Sequence, residues 1–138
     1  MSEQESSKDE SKPRSVSRRV VNDVMILQLV EGAEPFETAR ILNDAVTLAI
    51  RDGYRKVILD HAHVRYASSQ TAGAICSAYT GLKNMQGECV LTCLPRSVSE
   101  AFRMTKLDQI LRIFKTLPEA LEHFGVPQSD AAAPGMEG

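Results

Sequence analysis

The feature that most constrains the fold of this chain is a change of period between residues 57 and 85. Val57-Ile58-Leu59-Asp60 is a short apolar run closed by an acid, as in a buried strand. Beyond it, Ala72, Ile75, Cys76, Tyr79 and Leu82 recur at the spacing of one helical face. Between the two lies a polar turn over residues 61–69, with Ser68 and Ser69 where the helix starts. A strand that ends in a turn and restarts as a helix leaves the first helical N–H groups without intrahelical partners, and serine is a favoured cap there. Function is expected at that turn.

The elements on either side build an alternating order. Arg18 to Asp23, ending in the turn pair Asn22-Asp23, leads into Val24 to Val30, which predicts a hairpin whose second strand is buried on most of both faces. From Pro35 the period becomes helical. Leu42, Ala45, Val46, Ala49 and Ile50 share one side, Arg40, Asn43, Asp44 and Thr47 the other, and Gly53 stops the helix. A strand over Lys56 to Asp60 precedes the turn. After the second helix, which ends near Gly87, a strand is predicted over Cys89 to Leu94, closed by Pro95. A helix over Arg96 to Thr105 has Val98, Ala101 and Phe102 as its apolar side, and a turn over Lys106 to Arg112 leads to an edge strand at Ile113 to Lys115. Thr116 is an N-cap candidate with Pro118 close behind, Ala120, Leu121 and Phe124 face the core, and Gly125 and Pro127 end the fold. Strands alternating with crossover helices predict an α/β domain with parallel pairs: a mixed sheet of four to five strands and about four helices. Residues 1–16 and 127–138 are too polar, or too rich in Ala, Pro and Gly, to offset the entropy of ordering and are expected to be disordered tails around one domain at 17–126.

Composition removes several functions. The net charge is −2 with 25% charged residues, which leaves no basic field for a nucleic-acid backbone or an anionic membrane. No apolar run approaches the roughly 20 residues that span a bilayer, and the polar, acidic start does not resemble a secretory signal, so a cytoplasmic protein is expected. Cys76, Cys89 and Cys93 are odd in number, lack C-x-x-C spacing and read as reduced core thiols. No G-x-S-x-G elbow, Rossmann glycine pattern or P-loop occurs, so neither a hydrolase nor a nucleotide cofactor is indicated. His61 and His63 could approach Ser69, but proximity through a loop is not a triad, and two imidazoles without a third ligand are half a metal site. They read as a pair in a surface loop, and neither metal nor cofactor is expected. Asp60 ends a strand as a phospho-accepting aspartate would, yet the neighbouring turn has no further acid to hold a divalent cation. Two readings of Ser68 and Ser69 stay open. One of them is only the helix cap, or the other hydroxyl is a phosphoacceptor whose added charge the helix dipole tolerates.

The pattern from about Val20 to Phe124 resembles the STAS domain of bacterial anti-sigma factor antagonists. In that family an apolar strand ending in L-D is followed by D-S-S-G-x-G at a helix start. Leu59-Asp60 through Val64-Arg65-Tyr66-Ala67-Ser68-Ser69-Gln70-Thr71-Ala72-Gly73 overlays it without gaps, with Ser69 at the phosphorylated serine and Gly73 at the second glycine. Gln86-Gly87-Glu88-Cys89-Val90-Leu91 matches a G-G-x-[VL]-x-[VL] strand, and Thr105-Lys106-Leu107-Asp108-Gln109-Ile110-Leu111 echoes the T-G-L-D-x-[LI]-F turn. Ser68 stands in place of the family Asp, Gln70 of Ser or Thr, and Thr71 of the first Gly. The resemblance implies a non-catalytic partner switch. Its partner would be an anti-sigma factor, itself a Ser/Thr kinase, with a phosphatase to reverse the mark. Ser69 would be the acceptor, with Ser68 as second choice, and Ser68, Ser69, Gln70, Thr71 and Gly73 the contact surface. The departures at 68, 70 and 71 leave an alternative: a STAS scaffold or complex subunit that binds its partner constitutively, with Ser69 only a cap.

Overall fold

A computed structural model describes residues 16–30, 35–64 and 69–127. Its elements run β1 (Val16–Val21), β2 (Val24–Val30), α1 (Pro35–Arg51), β3 (Lys56–His63), α2 (Ser69–Asn84), β4 (Glu88–Thr92), α3 (Arg96–Met104), a 3-10 turn (Leu107–Gln109), β5 (Arg112–Phe114) and α4 (Leu117–His123). The expected order of hairpin, helix and alternating strands and helices is the observed one. The five strands form one sheet in sequence order; β1 pairs antiparallel with β2, and every other pair is parallel. Val16, expected in the first tail, already belongs to β1, and apart from it and Pro127 the expected tails at residues 1–16 and 127–138 lie outside the described residues.

Strand alternation divides the core in two. Met25, Leu27 and Leu29 of β2, Val57 and Leu59 of β3, and Cys89 and Leu91 of β4 share a cluster with Leu42, Val46 and Ala49 of α1, Ile75 and Leu82 of α2, and Val98 and Phe102 of α3. The intervening residues Val24, Ile26, Ile58 and Val90 pack with Ala120 and Leu121 of α4. The strands of β2, β3 and β4 are thus apolar on both faces because both faces are covered.

Three of the four helix stops share one geometry. Gly53 has φ 97°, its N–H reaches Ile50 O at 3.0 Å and Tyr54 N–H reaches Ala49 O at 3.0 Å, the paired bonds of a Schellman stop. The same pair of bonds ends α2 around Gln86 (φ 63°) and α4 around Gly125 (φ 83°). Next to Gln86, Gly87 is required for a different reason: a Cβ there would lie 2.5 Å from Arg55 O, where the entries to β3 and β4 meet.

Four local expectations are corrected. β3 continues through His63, so the turn begins three residues later than the apolar run suggests. β4 stops at Thr92, because Cys93 turns to φ 56°. Ala101 is exposed, leaving Val98 and Phe102 to anchor α3. Of the three thiols only Cys89 is a core residue, Cys76 and Cys93 being half-buried.

Candidate functional site

Ser69 is the first residue of α2 and Gln70 the second, at the C-terminal end of β3. In open sheets with parallel strands this is the end where loops gather functional groups. Ser68 lies outside the described residues, as does the stretch 65–67 before it. Thr71 is 2% exposed and faces the core, which removes it from any contact surface. Gly73 is exposed, and a Cβ built there would meet nothing within 4 Å. The fold therefore does not require glycine at this helical position, where it costs roughly 0.5–1 kcal/mol relative to Ala. The exposed side of the helix continues through Ser77 and Thr80, and from Ser69 to Leu82 there is no charged residue.

A row of polar side chains underlies this end of the sheet. Gln28, Asp60 and Thr92 are register partners on β2, β3 and β4. Gln28 Nε2 donates to Asp60 Oδ2 at 2.8 Å, Thr92 Oγ1 donates to Asp60 Oδ1 at 2.9 Å, and Ala62 N–H donates to Oδ1 at 3.2 Å. Asp60 is 2% exposed, with both oxygens engaged. It anchors the end of β3 and is not presented to accept a phosphoryl group.

The histidines do not form a surface pair. His63 is exposed, but His61 is fully buried at the next position on the strand face of Val57 and Leu59. Its Nδ1–H donates to Leu59 O at 3.2 Å, and Nε2 has no hydrogen-bond partner. Burial pushes the imidazole down to about 4 from 6.5, against the opposing pull of the Leu59 carbonyl and the Asp60 carboxylate. Sealed in this way, His61 is not placed to serve as a base for Ser69. Among the described residues no group of three His, Cys, Asp or Glu side chains could hold a metal ion, and no helix is long and apolar enough to cross a membrane. The thiols are not activated either. Burial raises all three, Cys89 to about 12, with Glu88 adding to the effect there and Asp60 adding to it at Cys93.

A five-stranded mixed sheet with a helix opening on serine after its central strand defines a class of small α/β domain, and comparison with known proteins identifies the family. The STAS domain model matches residues 15–120, and the chain belongs to the STAS domain family. A crystal structure of a candidate anti-sigma factor antagonist from Thermotoga maritima superposes with a TM-score of 0.68 at 25% identity, over 78% of this chain and 92% of that one. An anti-sigma factor antagonist from Mycobacterium paratuberculosis gives 0.68 at 18% identity, over 80% and 95%. The anti-sigma factor antagonist SpoIIAA in its unphosphorylated form gives 0.66 at 15% identity, over 79% and 95%. The last two are likenesses of fold. The family's glycine pattern before β4 also acquires a physical reason: Gln86 stands at its first glycine and occupies the left-handed region that glycine enters without strain.

Proposed function

We propose that this protein is an anti-sigma factor antagonist. Its α2 start docks on an anti-sigma factor with Ser/Thr kinase activity, and phosphorylation of Ser69 ends the complex until a phosphatase restores it. The observation that carries the reading is the position of Ser69 as the opening residue of α2, followed by an uncharged helical turn. A phosphate at that position meets the positive end of the helix dipole, so the fold accepts it. A partner seated over the turn would have to desolvate or repel nearly two negative charges. The similarity to anti-sigma factor antagonists supports the partner class. The contact surface is Ser68, Ser69, Gln70 and Gly73, with Thr71 fixing the helix from beneath. Gly73 adds a reason of its own, since an exposed helical glycine with open space above it lets another backbone approach closely.

The test is intact-mass measurement after incubation with the cognate kinase, together with binding of Ser69→Asp. One added phosphate, lost in Ser69→Ala, and a roughly hundredfold weaker complex for Ser69→Asp are expected, about 2.7 kcal/mol. Ser68→Asp restores the family acid beside the acceptor and should increase labelling. The departures at Ser68, Gln70 and Thr71 favour a second reading, constitutive binding with Ser69 as a cap. An unlabelled protein whose Ser69→Asp variant binds like wild type would establish that reading and dismiss the first.

A further inference from the structure

At the far end of α2 from Ser69, about 20 Å away at 1.5 Å per helical residue, is a cavity of about 380 Å³. Tyr79 and Lys83 from the last turns of α2, Glu88 and Cys89 from the start of β4, and Ile110 and Arg112 from the approach to β5 line it. The volume falls at the lower end of the roughly 300–1,000 Å³ typical of small-ligand sites.

The charges are unevenly matched. Glu88 Oε2 lies 2.7 Å from His123 Nε2 and 3.6 Å from Arg112 Nε, so its carboxylate is committed at the wall. Lys83 has no carboxylate partner among the described residues; its Nζ sits 5.9 Å from the centre of the Tyr79 ring. Of the lining side chains, Lys83, Arg112 and Glu88 together carry one net positive charge. The backbone does not need Lys83 to close the helix, because Met85 N–H and Gly87 N–H go to Leu82 O and Gln86 N–H goes to Lys83 O. Beside this charge are a half-buried aromatic ring and Ile110, an isoleucine left 56% exposed. The Cys89 thiol, raised by burial, adds an inert apolar floor.

We propose that this cavity is a binding site for a small organic monoanion, an aryl or branched alkyl carboxylate. Its acid group would lie between Lys83 and Arg112 and its apolar body against Tyr79 and Ile110. One net positive charge suits a monoanion, and the size of the cavity suits a single ring or short chain. The site is independent of the reading of Ser69.

Amide NMR titration of the full chain at low salt, where exposed charges are least screened, tests this with sodium benzoate, benzyl alcohol and sodium acetate. Benzoate should give saturable shifts confined to residues 79–89 and 110–112. Benzyl alcohol, which lacks the charge, and acetate, which lacks the ring, should each bind more weakly. Exposed Lys83→Gln should keep the spectrum of the folded domain and bind benzoate roughly fivefold less tightly. Benzyl alcohol binding as well as benzoate, an unchanged affinity in Lys83→Gln, or benzoate shifts outside this region would overturn the proposal, as would no saturable shift with benzoate.

Discussion

Two helices of this domain begin in opposite ways, one with an acid and a side-chain cap in its first turn and one with no charge there. At the start of α4, Thr116 Oγ1 accepts from Glu119 N–H at 3.3 Å, and Glu119 Oε1 accepts from Lys115 N–H at 3.2 Å. Pro118 removes another donor, and Glu119 supplies the negative charge that the helix dipole favours. Chemically, that terminus is closed. At the start of α2, Ser69, Gln70 and Thr71 bring no charge, the third of them is buried, and the nearest acid along β3 is spent on Gln28, Thr92 and Ala62. The first terminus carries an acid and a side-chain cap within the chain, whereas the first turn of the second carries no acid.

The largest effect that should distinguish the two regions comes from what lies beneath each. β3 approaches α2 through a buried imidazole with a bare Nε2, and nothing comparable precedes α4 among the described residues. His61 is held near 4 when folded and near 6.5 when unfolded, so between those values the unfolded chain binds a proton that the native one refuses. Stability should be complete above pH 6.5 and fall as the pH drops toward 4. The loss amounts to about 3 kcal/mol from this group, at 1.36 kcal/mol per pKa unit. Urea unfolding of wild type and His61→Leu at pH 7 and pH 4.5 measures it. Equal losses in the two proteins would mean that the imidazole is not held neutral in the native core.

Next in size is the closed terminus itself. Thr116→Ala should cost about 1 kcal/mol in urea unfolding, the usual worth of such a cap. It should leave binding of the proposed partner unchanged, since α4 packs on the other sheet face from α2. A loss of binding at constant stability would place part of the partner surface on α4 and erase the contrast.

The sequence made one of these termini more legible than the other. Thr116, Pro118 and Glu119 carry their cap in their identities, and Gly53 and Gly125 announce their stops. The other two stops were placed near Gly87 and at Thr105, but nothing marks Gln86 and Lys106 as the left-handed residues, although both have positive φ. The buried face of α2 was displaced for a similar reason. Apolar bulk favours Cys76 and Tyr79, which are half-buried at its margin, while small Ala74 and Ala78 lie in the core with Thr71. His61 was the least legible residue: a polar side chain after Asp60 reads as the end of a strand, and only the continued pairing of β3 reveals that it is inside. The overall order survived these local errors because each strand–helix alternation was marked independently by period, turn residues and length.

The smallest expected effect probes the open terminus directly. If α2 begins without a compensating charge, Ser69→Asp should not weaken the fold. An acid in the first turn contributes roughly 0.3–1 kcal/mol at low ionic strength, and replacing a serine there gives up at most a cap of similar worth. The net change should therefore stay within about 0.5 kcal/mol and shift toward destabilisation as salt screens the dipole. Glu119→Gln, which removes the acid from a terminus that already has one, should lose about the same few tenths that Ser69→Asp gains. Thermal melts of both variants in low and high salt make the comparison. A Ser69→Asp protein destabilised by well over 1 kcal/mol would show that the hydroxyl is needed as a cap, and any loss of partner binding would then follow from damage to the fold. Stability retained with binding lost, together with binding kept in Ser69→Asn, is the combination that a charge read by another protein produces.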